Sequence, residues 1–118
     1  MEISAEIEGN FLLIRVKGDL DMHTVPEFKE KISSLMQKNR LDNLILNFNK
    51  VKFIDSTGVG AILGKYRSLQ EDNGELILVE LSDQVERIFE LSGVLNLIPV
   101  FKSENEIITK LKGGNNIA

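Results

Sequence analysis

The chain alternates short apolar runs with longer stretches of helical periodicity, and this order restricts its fold more than any other feature. Residues 3–7 alternate apolar and polar side chains, and residues 11–16 form a mainly apolar run after a Gly9-Asn10 break. Three more apolar runs then alternate with amphipathic segments, which gives the order β, β, α, β, α, β, α, β, α. This order predicts an α/β fold, with a single layer of mixed β-sheet packed against about four α-helices and an opening β-hairpin.

Capping residues and glycines locate the ends of these elements. The residues concerned are Thr24 with Glu27, Asn73 with Gly74, Ser82, Gly93, and Ser103 with Glu106. In a capping box, the first hydroxyl accepts a bond from the amide three residues later, and the acid bonds back. The first helix is predicted over 25–38. The final strand is predicted over 97–101, at an edge of the sheet, because Pro99 lacks an amide donor. Residues 113–118 are predicted to be a flexible tail of a single domain spanning 1–118.

Composition excludes several kinds of chemistry. The chain contains no cysteine and one histidine, His23, so thiol nucleophiles, cysteine-ligated metals and multi-histidine metal sites are excluded. Its net charge is −4 and its basic residues are scattered, which argues against direct binding of nucleic acid. No apolar stretch approaches the roughly 20 residues of a membrane span, and the start lacks a signal-peptide pattern. We expect a cytoplasmic protein with no membrane partner, cofactor or metal.

The most unusual residues lie between Asp55 and Gly64. A helix that begins at Ser56 or Thr57 directs free backbone amides and a partial positive charge toward these residues. Three glycines follow at positions 58, 60 and 64. Each glycine within a helix costs about 0.5–1 kcal/mol relative to alanine, so a compensating close approach by a neighbouring element or a partner is expected.

Each of these residues also has a plainer interpretation. Ser56 is either an ordinary N-cap or a phosphorylation site, whose added negative charge a helix N-terminus tolerates. Asp55 is either a turn acid beside the helix dipole or part of a partner-binding site, and His23 is either an exposed loop residue or functional. The segment Gly58–Gly64 also resembles a nucleotide-binding fingerprint with its third glycine one position late, which leaves a small nucleotide-binding protein as an alternative.

A larger pattern resembles a known family. Asp55-Ser56-Thr57-Gly58-Val59-Gly60 follows Phe53-Ile54, and Gly18-Asp19-Leu20-Asp21 precedes the first helix. Together with Asn73-Gly74-Glu75-Leu76 and Phe89-Glu90-Leu91-Ser92-Gly93, these segments are similar to bacterial anti-sigma factor antagonists, which are stand-alone STAS domains. The resemblance covers about residues 3–112. Met22-His23-Thr24 is closest to the sporulation branch that acts on sigma-F, whereas Thr57 after Ser56 is more typical of the general-stress branch.

The resemblance implies a role and a set of site residues. Ser56 corresponds to the phosphorylated serine of the family. The unphosphorylated form is expected to bind an anti-sigma factor that is also a serine kinase and thereby to release the sigma factor. Phosphorylation by that kinase then ends the binding, and a PP2C-type phosphatase restores the serine. The chain itself is expected not to be an enzyme. The expected partner-binding residues are Asp21, His23, Asp55, Ser56, Thr57, Gly58 and Gly60.

Overall fold

The computed structural model describes residues 1–117, which form one five-stranded sheet, four α-helices and a short 3-10 helix. The elements are β1 (Glu2–Glu8), β2 (Phe11–Lys17), α1 (Val25–Asn39), β3 (Asn43–Lys50), α2 (Ser56–Glu71), β4 (Leu76–Val79), α3 (Asp83–Ser92), the 3-10 helix (Val94–Asn96), β5 (Val100–Phe101) and α4 (Glu104–Ile117). The strands lie side by side in sequence order. Strand β1 is antiparallel to β2, and the remaining neighbouring pairs are all parallel. The predicted mixed sheet with an opening hairpin and four helices is confirmed.

The two faces of the sheet carry separate apolar clusters. Leu12, Leu44 and Leu76 point to the face that α1, α2 and α3 cover. Their neighbours along each strand point to the opposite face, where α4 covers them through Ile107. Since both faces are covered, β2, β3 and β4 read as continuous apolar runs. Each fully buried leucine or isoleucine contributes about 1.5–3 kcal/mol of transfer free energy. Among the described residues, no helix has the length and hydropathy needed to cross a membrane.

The first strand is less buried than its alternating pattern predicts. Ile3 packs against the larger cluster, but the side chain of Ile7 is 55% exposed. The reason is position, because β1 lies at an edge of the sheet and pairs only with β2. The glutamates of β1 place charge along this edge, which discourages pairing with another chain.

The final strand is shorter than predicted. Only Val100–Phe101 forms β5, while Val94–Asn96 forms a 3-10 turn. Pro99 cannot donate to the ladder, although its carbonyl accepts a bond of 3.0 Å from the amide of Leu78. The predicted edge position is confirmed, since β5 lies at the end of the sheet.

The last helix extends into the residues predicted to form a tail. Residues 113–117, expected to form a flexible tail, continue the helical backbone of α4 as far as Ile117. Glycine lowers helix propensity by about 1 kcal/mol, but it does not forbid a helix that is already propagating. Ala118 lies outside the described residues.

An ion-pair network attaches the start of α4 to the sheet. The guanidinium of Arg15 donates two hydrogen bonds, of 2.8 and 2.7 Å, to the two carboxylate oxygens of Glu104. The buried amide of Asn47 donates a third bond to Glu104. These bonds, above all those from Arg15, lower the pKa of the Glu104 carboxyl.

The network predicts a pH-dependent contribution to stability. Because the pKa of Glu104 is lower in the folded chain than its unfolded value of about 4.3, its contribution is present above that value. It is lost as the pH falls through the folded pKa. We expect Glu104→Gln to lower the free energy of unfolding by about 1 kcal/mol near neutral pH and by much less in strong acid. Denaturant titrations at several pH values, with exposed Glu106→Gln as the control, measure this. An equal loss at all pH values would contradict the assignment.

Candidate functional site

Two loops run side by side at the carboxyl edge of the parallel strands. Residues 18–24 connect β2 to α1, and residues 51–55 connect β3 to α2. Leu20 and Ile54 form an isolated parallel bridge between them. The amide of Leu20 donates to the carbonyl of Phe53 at 3.0 Å, and the carbonyl of Leu20 accepts from the amide of Asp55 at 3.2 Å. Residues far apart in sequence are thereby held in one place at the start of α2.

Asp55 caps α2 and also connects the two loops. One carboxylate oxygen, Oδ1, accepts a bond of 2.9 Å from the amide of Gly58, and Oδ2 accepts a bond of 3.1 Å from the amide of Met22. Asp55 is therefore the N-cap, and the interpretation of Ser56 as an N-cap is wrong. Since carboxylate-to-amide bonds at a helix N-terminus are charge-assisted, this residue fixes the loop over 18–24 relative to α2.

Ser56 is the first residue of α2, and it is exposed, as is Thr57. Among the hydrogen bonds of the described residues, none involves the Ser56 side chain; the amide three residues later, that of Val59, donates to the carbonyl of Asp55 instead. The hydroxyl therefore faces solvent beside the positive end of the helix. Such a group is accessible to a modifying enzyme.

Asp21 organises the neighbouring loop through its own carboxylate. Its Oδ1 accepts bonds of 2.9 and 3.1 Å from the amides of His23 and Thr24. The bond from His23, followed by the weaker influence of Thr24, lowers the pKa of Asp21, so its charge is retained at neutral pH. The side chain of His23 is exposed on the same loop.

The capping box predicted for α1 is absent. Thr24 is the N-cap by position but makes no side-chain cap bond. Its hydroxyl instead donates to the carbonyl of Asp19 at 2.8 Å and accepts from the amide of Asp21 at 3.0 Å. The threonine therefore stabilises the loop over 18–24 rather than the helix. In contrast, the predicted caps at Ser82 and Ser103 are confirmed by bonds from the amides three residues later.

The glycines of α2 fall into two groups. A Cβ added to Gly58 would lie 2.5 Å from the carbonyl oxygen of Leu20 and 2.7 Å from Cγ2 of Ile54, so close approach explains this glycine. A Cβ at Gly60 or Gly64 would meet nothing within 4 Å. For these two, the predicted approach of a neighbouring element is wrong, and nothing else in the described chain requires a glycine.

The nucleotide-binding alternative finds little support in this geometry. Gly58, Gly60 and Gly64 all lie within α2, so they do not form the free-amide loop that cradles phosphates. Gly58 is buried, and its amide is already bonded to Asp55. The segment resembles a phosphate loop in composition but not in conformation.

Two exposed apolar residues were not identified from the sequence. Met22 is 63% exposed and Phe53 is 50% exposed, and both lie on the loops that meet beside Ser56. In sequence, Phe53 belongs to an apolar run over 51–54 and is not distinguishable from core residues. The signal was its position two residues before the Asp55-Ser56 pair. We call Met22, Phe53, Ser56 and Thr57 the Ser56 face.

Comparisons with known proteins agree with this architecture. Residues 2–107 match the STAS domain family. The chain is 27% identical over 112 residues to the anti-sigma F factor antagonist of Paenibacillus polymyxa, covering 95% of this chain and 96% of that protein. It is 32% identical over 100 residues to the anti-sigma-B factor antagonist of Staphylococcus aureus, covering 85% and 92% respectively.

A solved structure of comparable extent is that of SpoIIAA, an anti-sigma factor antagonist. Its unphosphorylated form is 29% identical with a TM-score of 0.74, covering 95% of this chain and 99% of that one. The phosphorylated form of the Bacillus protein is 31% identical with a TM-score of 0.72, covering 93% and 99%. The chain therefore belongs to the STAS domain family, among the anti-sigma factor antagonists.

Proposed function

We propose that this chain is switched by phosphorylation of Ser56. In the proposal, the unphosphorylated form binds an anti-sigma factor that is also a serine kinase, and this binding releases the sigma factor. The kinase transfers a phosphoryl group to the Ser56 hydroxyl, and the modified chain dissociates. A PP2C-type phosphatase removes the group in the cytoplasm. The chain acts as substrate and binding partner rather than as an enzyme.

The observation that carries the proposal is the placement of Ser56. Its hydroxyl is exposed at the first position of α2 and is not used for capping. The preceding residue holds the loop over 18–24 against the same helix end. A kinase that docks on both loops would therefore meet the hydroxyl at a fixed position. SpoIIAA, which has the same fold, is known in phosphorylated and unphosphorylated forms.

Electrostatics explains why a phosphate would act as a switch without refolding the chain. In the free protein, a phosphate on exposed Ser56 stays hydrated and next to the helix N-terminus, which tolerates its charge of roughly −1.5 to −2. In a complex, the same charge would have to leave water while lying beside Asp55. Desolvation and repulsion then oppose binding but not folding.

The Ser56 face also has the composition of a docking surface. Met22 and Phe53 expose apolar area around a polar centre. Interfaces draw most of their free energy from a few buried apolar or aromatic anchors surrounded by polar residues. We therefore assign Phe53 as the main anchor and Met22 as an adaptable neighbour, with Asp21 and His23 at the rim.

The pathway is proposed from local similarity. Met22-His23-Thr24 favours the sporulation branch, and the Paenibacillus relative is named for sigma-F. The staphylococcal relative is named for sigma-B, and it shares the higher identity of the two. A general-stress pathway is therefore the second candidate, and the cognate anti-sigma factor distinguishes the two.

A displacement experiment tests the proposal. A preformed complex of the sigma factor and the anti-sigma factor of the same organism is titrated with the unphosphorylated chain, and free sigma factor is measured. We expect release of sigma factor at near-stoichiometric amounts of the chain, and we expect Phe53→Ala to need at least tenfold more protein. No release from either a sporulation or a general-stress complex would contradict the proposed function.

A further inference from the structure

A groove between α1 and α2 lies beyond the Ser56 face. Its volume is about 270 Å³. Gly60, Ala61 and Gly64 of α2 form one side, and residues of α1 form the other, with Phe28 and Ile32 buried at its base. The two glycines line the groove without side chains, and a Cβ added at either position would meet no atom within 4 Å.

The charge of this groove differs from that of the whole chain. The net charge is −4, but of the residues that the structure describes, the groove is lined by Lys29 and Lys65 and by no carboxylate. Among the ion pairs of the described residues, neither lysine has a partner. Within residues 1–117, the ammonium of Lys65 donates one hydrogen bond, to the hydroxyl of Ser33 at 3.3 Å. Partial burial lowers the pKa of Lys65; the nearby carboxylate of Asp72 opposes this shift, and the charge of Lys29 adds to it.

The groove continues directly from the Ser56 face. Ser56, Gly60, Gly64 and Ser68 follow one another at intervals of four residues on α2, and all four are exposed. Residues at this spacing lie along one face of a helix, about 6 Å apart. A partner that covers Ser56 therefore reaches Gly60 one turn further and Gly64 two turns further.

We propose that this groove is a second contact region for the anti-sigma factor and that it receives an acidic segment of that protein. A carboxylate of the segment pairs with Lys65 and Lys29, and its backbone or a small side chain lies against Gly60 and Gly64. Three features support this occupant: the unmatched cations, the absence of carboxylates in the lining, and continuity with the Ser56 face. The inference rests on the proposed function, and it adds which segment of the anti-sigma factor the groove recognises.

Charge reversal tests the electrostatic part of the inference. Affinity for the unmodified anti-sigma factor is measured for Lys65→Glu and for Lys31→Glu, which makes the same change of charge at an exposed site of α1 outside the groove. We expect Lys65→Glu to weaken binding at least tenfold and Lys31→Glu to change it by less than about twofold. The difference should shrink as salt is raised, since salt screens exposed charges.

Filling the groove tests the steric part. Gly64→Leu places a side chain in the space between the helices, and leucine is a better helix former than glycine. We expect this variant to bind at least tenfold more weakly while its thermal stability is unchanged or higher. A loss of affinity by unfolding is thereby separated from a loss by occlusion.

The outcomes distinguish the inference from the proposed function. If the wild-type chain does not bind the anti-sigma factor, the proposed function itself fails. If the wild type binds, but Lys65→Glu and Gly64→Leu bind as tightly as Lys31→Glu, the groove is not a contact region. If sedimentation shows a wild-type dimer that Gly64→Leu dissociates, a second copy occupies the groove, which also overturns the inference.

Discussion

Phosphorylation of Ser56 is expected to weaken binding to the anti-sigma factor at least a hundredfold. A hundredfold change corresponds to about 2.8 kcal/mol, which is within the cost of burying an unpaired charge at an interface. Ser56 lies beside Asp55, so the added charge meets an existing carboxylate as well as a dehydrated surface. Ser56→Asp adds only one negative charge and should weaken binding at least tenfold.

Variants of Ser56 separate the effect of negative charge on binding from the effect of losing the hydroxyl. Ser56→Ala removes only a hydroxyl with no hydrogen bond to a described residue, so it should bind with wild-type affinity while being insensitive to the kinase. Ser34→Asp, on the exposed surface of α1, is the control for a general effect of negative charge. Affinities from calorimetry or surface binding provide the comparison. If Ser56→Asp and Ser34→Asp bound equally well, charge repulsion at this site would be excluded as the mechanism.

Gly58→Ala is expected to cause the largest loss of stability among single-methyl changes in α2. The new Cβ would meet the backbone carbonyl of Leu20 at 2.5 Å, and that carbonyl is fixed by its bond from the amide of Asp55. Overpacking of this kind costs typically 1–3 kcal/mol, and the strained segment is the one that holds the two loops together. We expect a loss of about 2–3 kcal/mol in the free energy of unfolding.

Gly60→Ala is the matched control. It makes the same chemical change two residues later, where a Cβ meets nothing within 4 Å. Alanine is the better helix former, so this variant should gain up to about 1 kcal/mol. Denaturant unfolding of both variants gives the two free energies. A loss of similar size in both, or in neither, would mean that Gly58 is not held in close contact with Leu20.

The order of elements along the chain and the starts of several helices follow from the sequence because periodicity and capping are local properties. The amphipathic pattern of α1 and the caps at Ser82 and Ser103 needed no knowledge of distant residues. The burial of β1 was overestimated because alternation does not reveal whether a strand lies at an edge. The helix over 113–117 was missed because glycine only weakens helix propensity.

The candidate site was less predictable because its geometry depends on contacts between distant segments. The sequence offered Ser56 as the N-cap of α2 and Asp55 as a turn acid beside the helix dipole. Asp55 is the N-cap because its carboxylate has two acceptor oxygens. One accepts from the amide of Gly58, and the other accepts from the amide of Met22, which lies 33 residues away in sequence. Thr24 illustrates the same limit, since its hydroxyl donates a hydrogen bond to the carbonyl of Asp19 rather than capping the helix. The proposed role of Ser56 came from family resemblance, whereas its exposure came from the structure.

A phosphotransfer assay with intact-mass detection tests the central claim most directly. The chain is mixed with ATP, magnesium and the anti-sigma factor of the same organism, and modified positions are mapped by fragmentation. We predict a single added phosphate, located on Ser56 and absent from Ser56→Ala, with Thr57 unmodified. Phosphate on another residue, or none although the two proteins bind, would contradict the proposed switch.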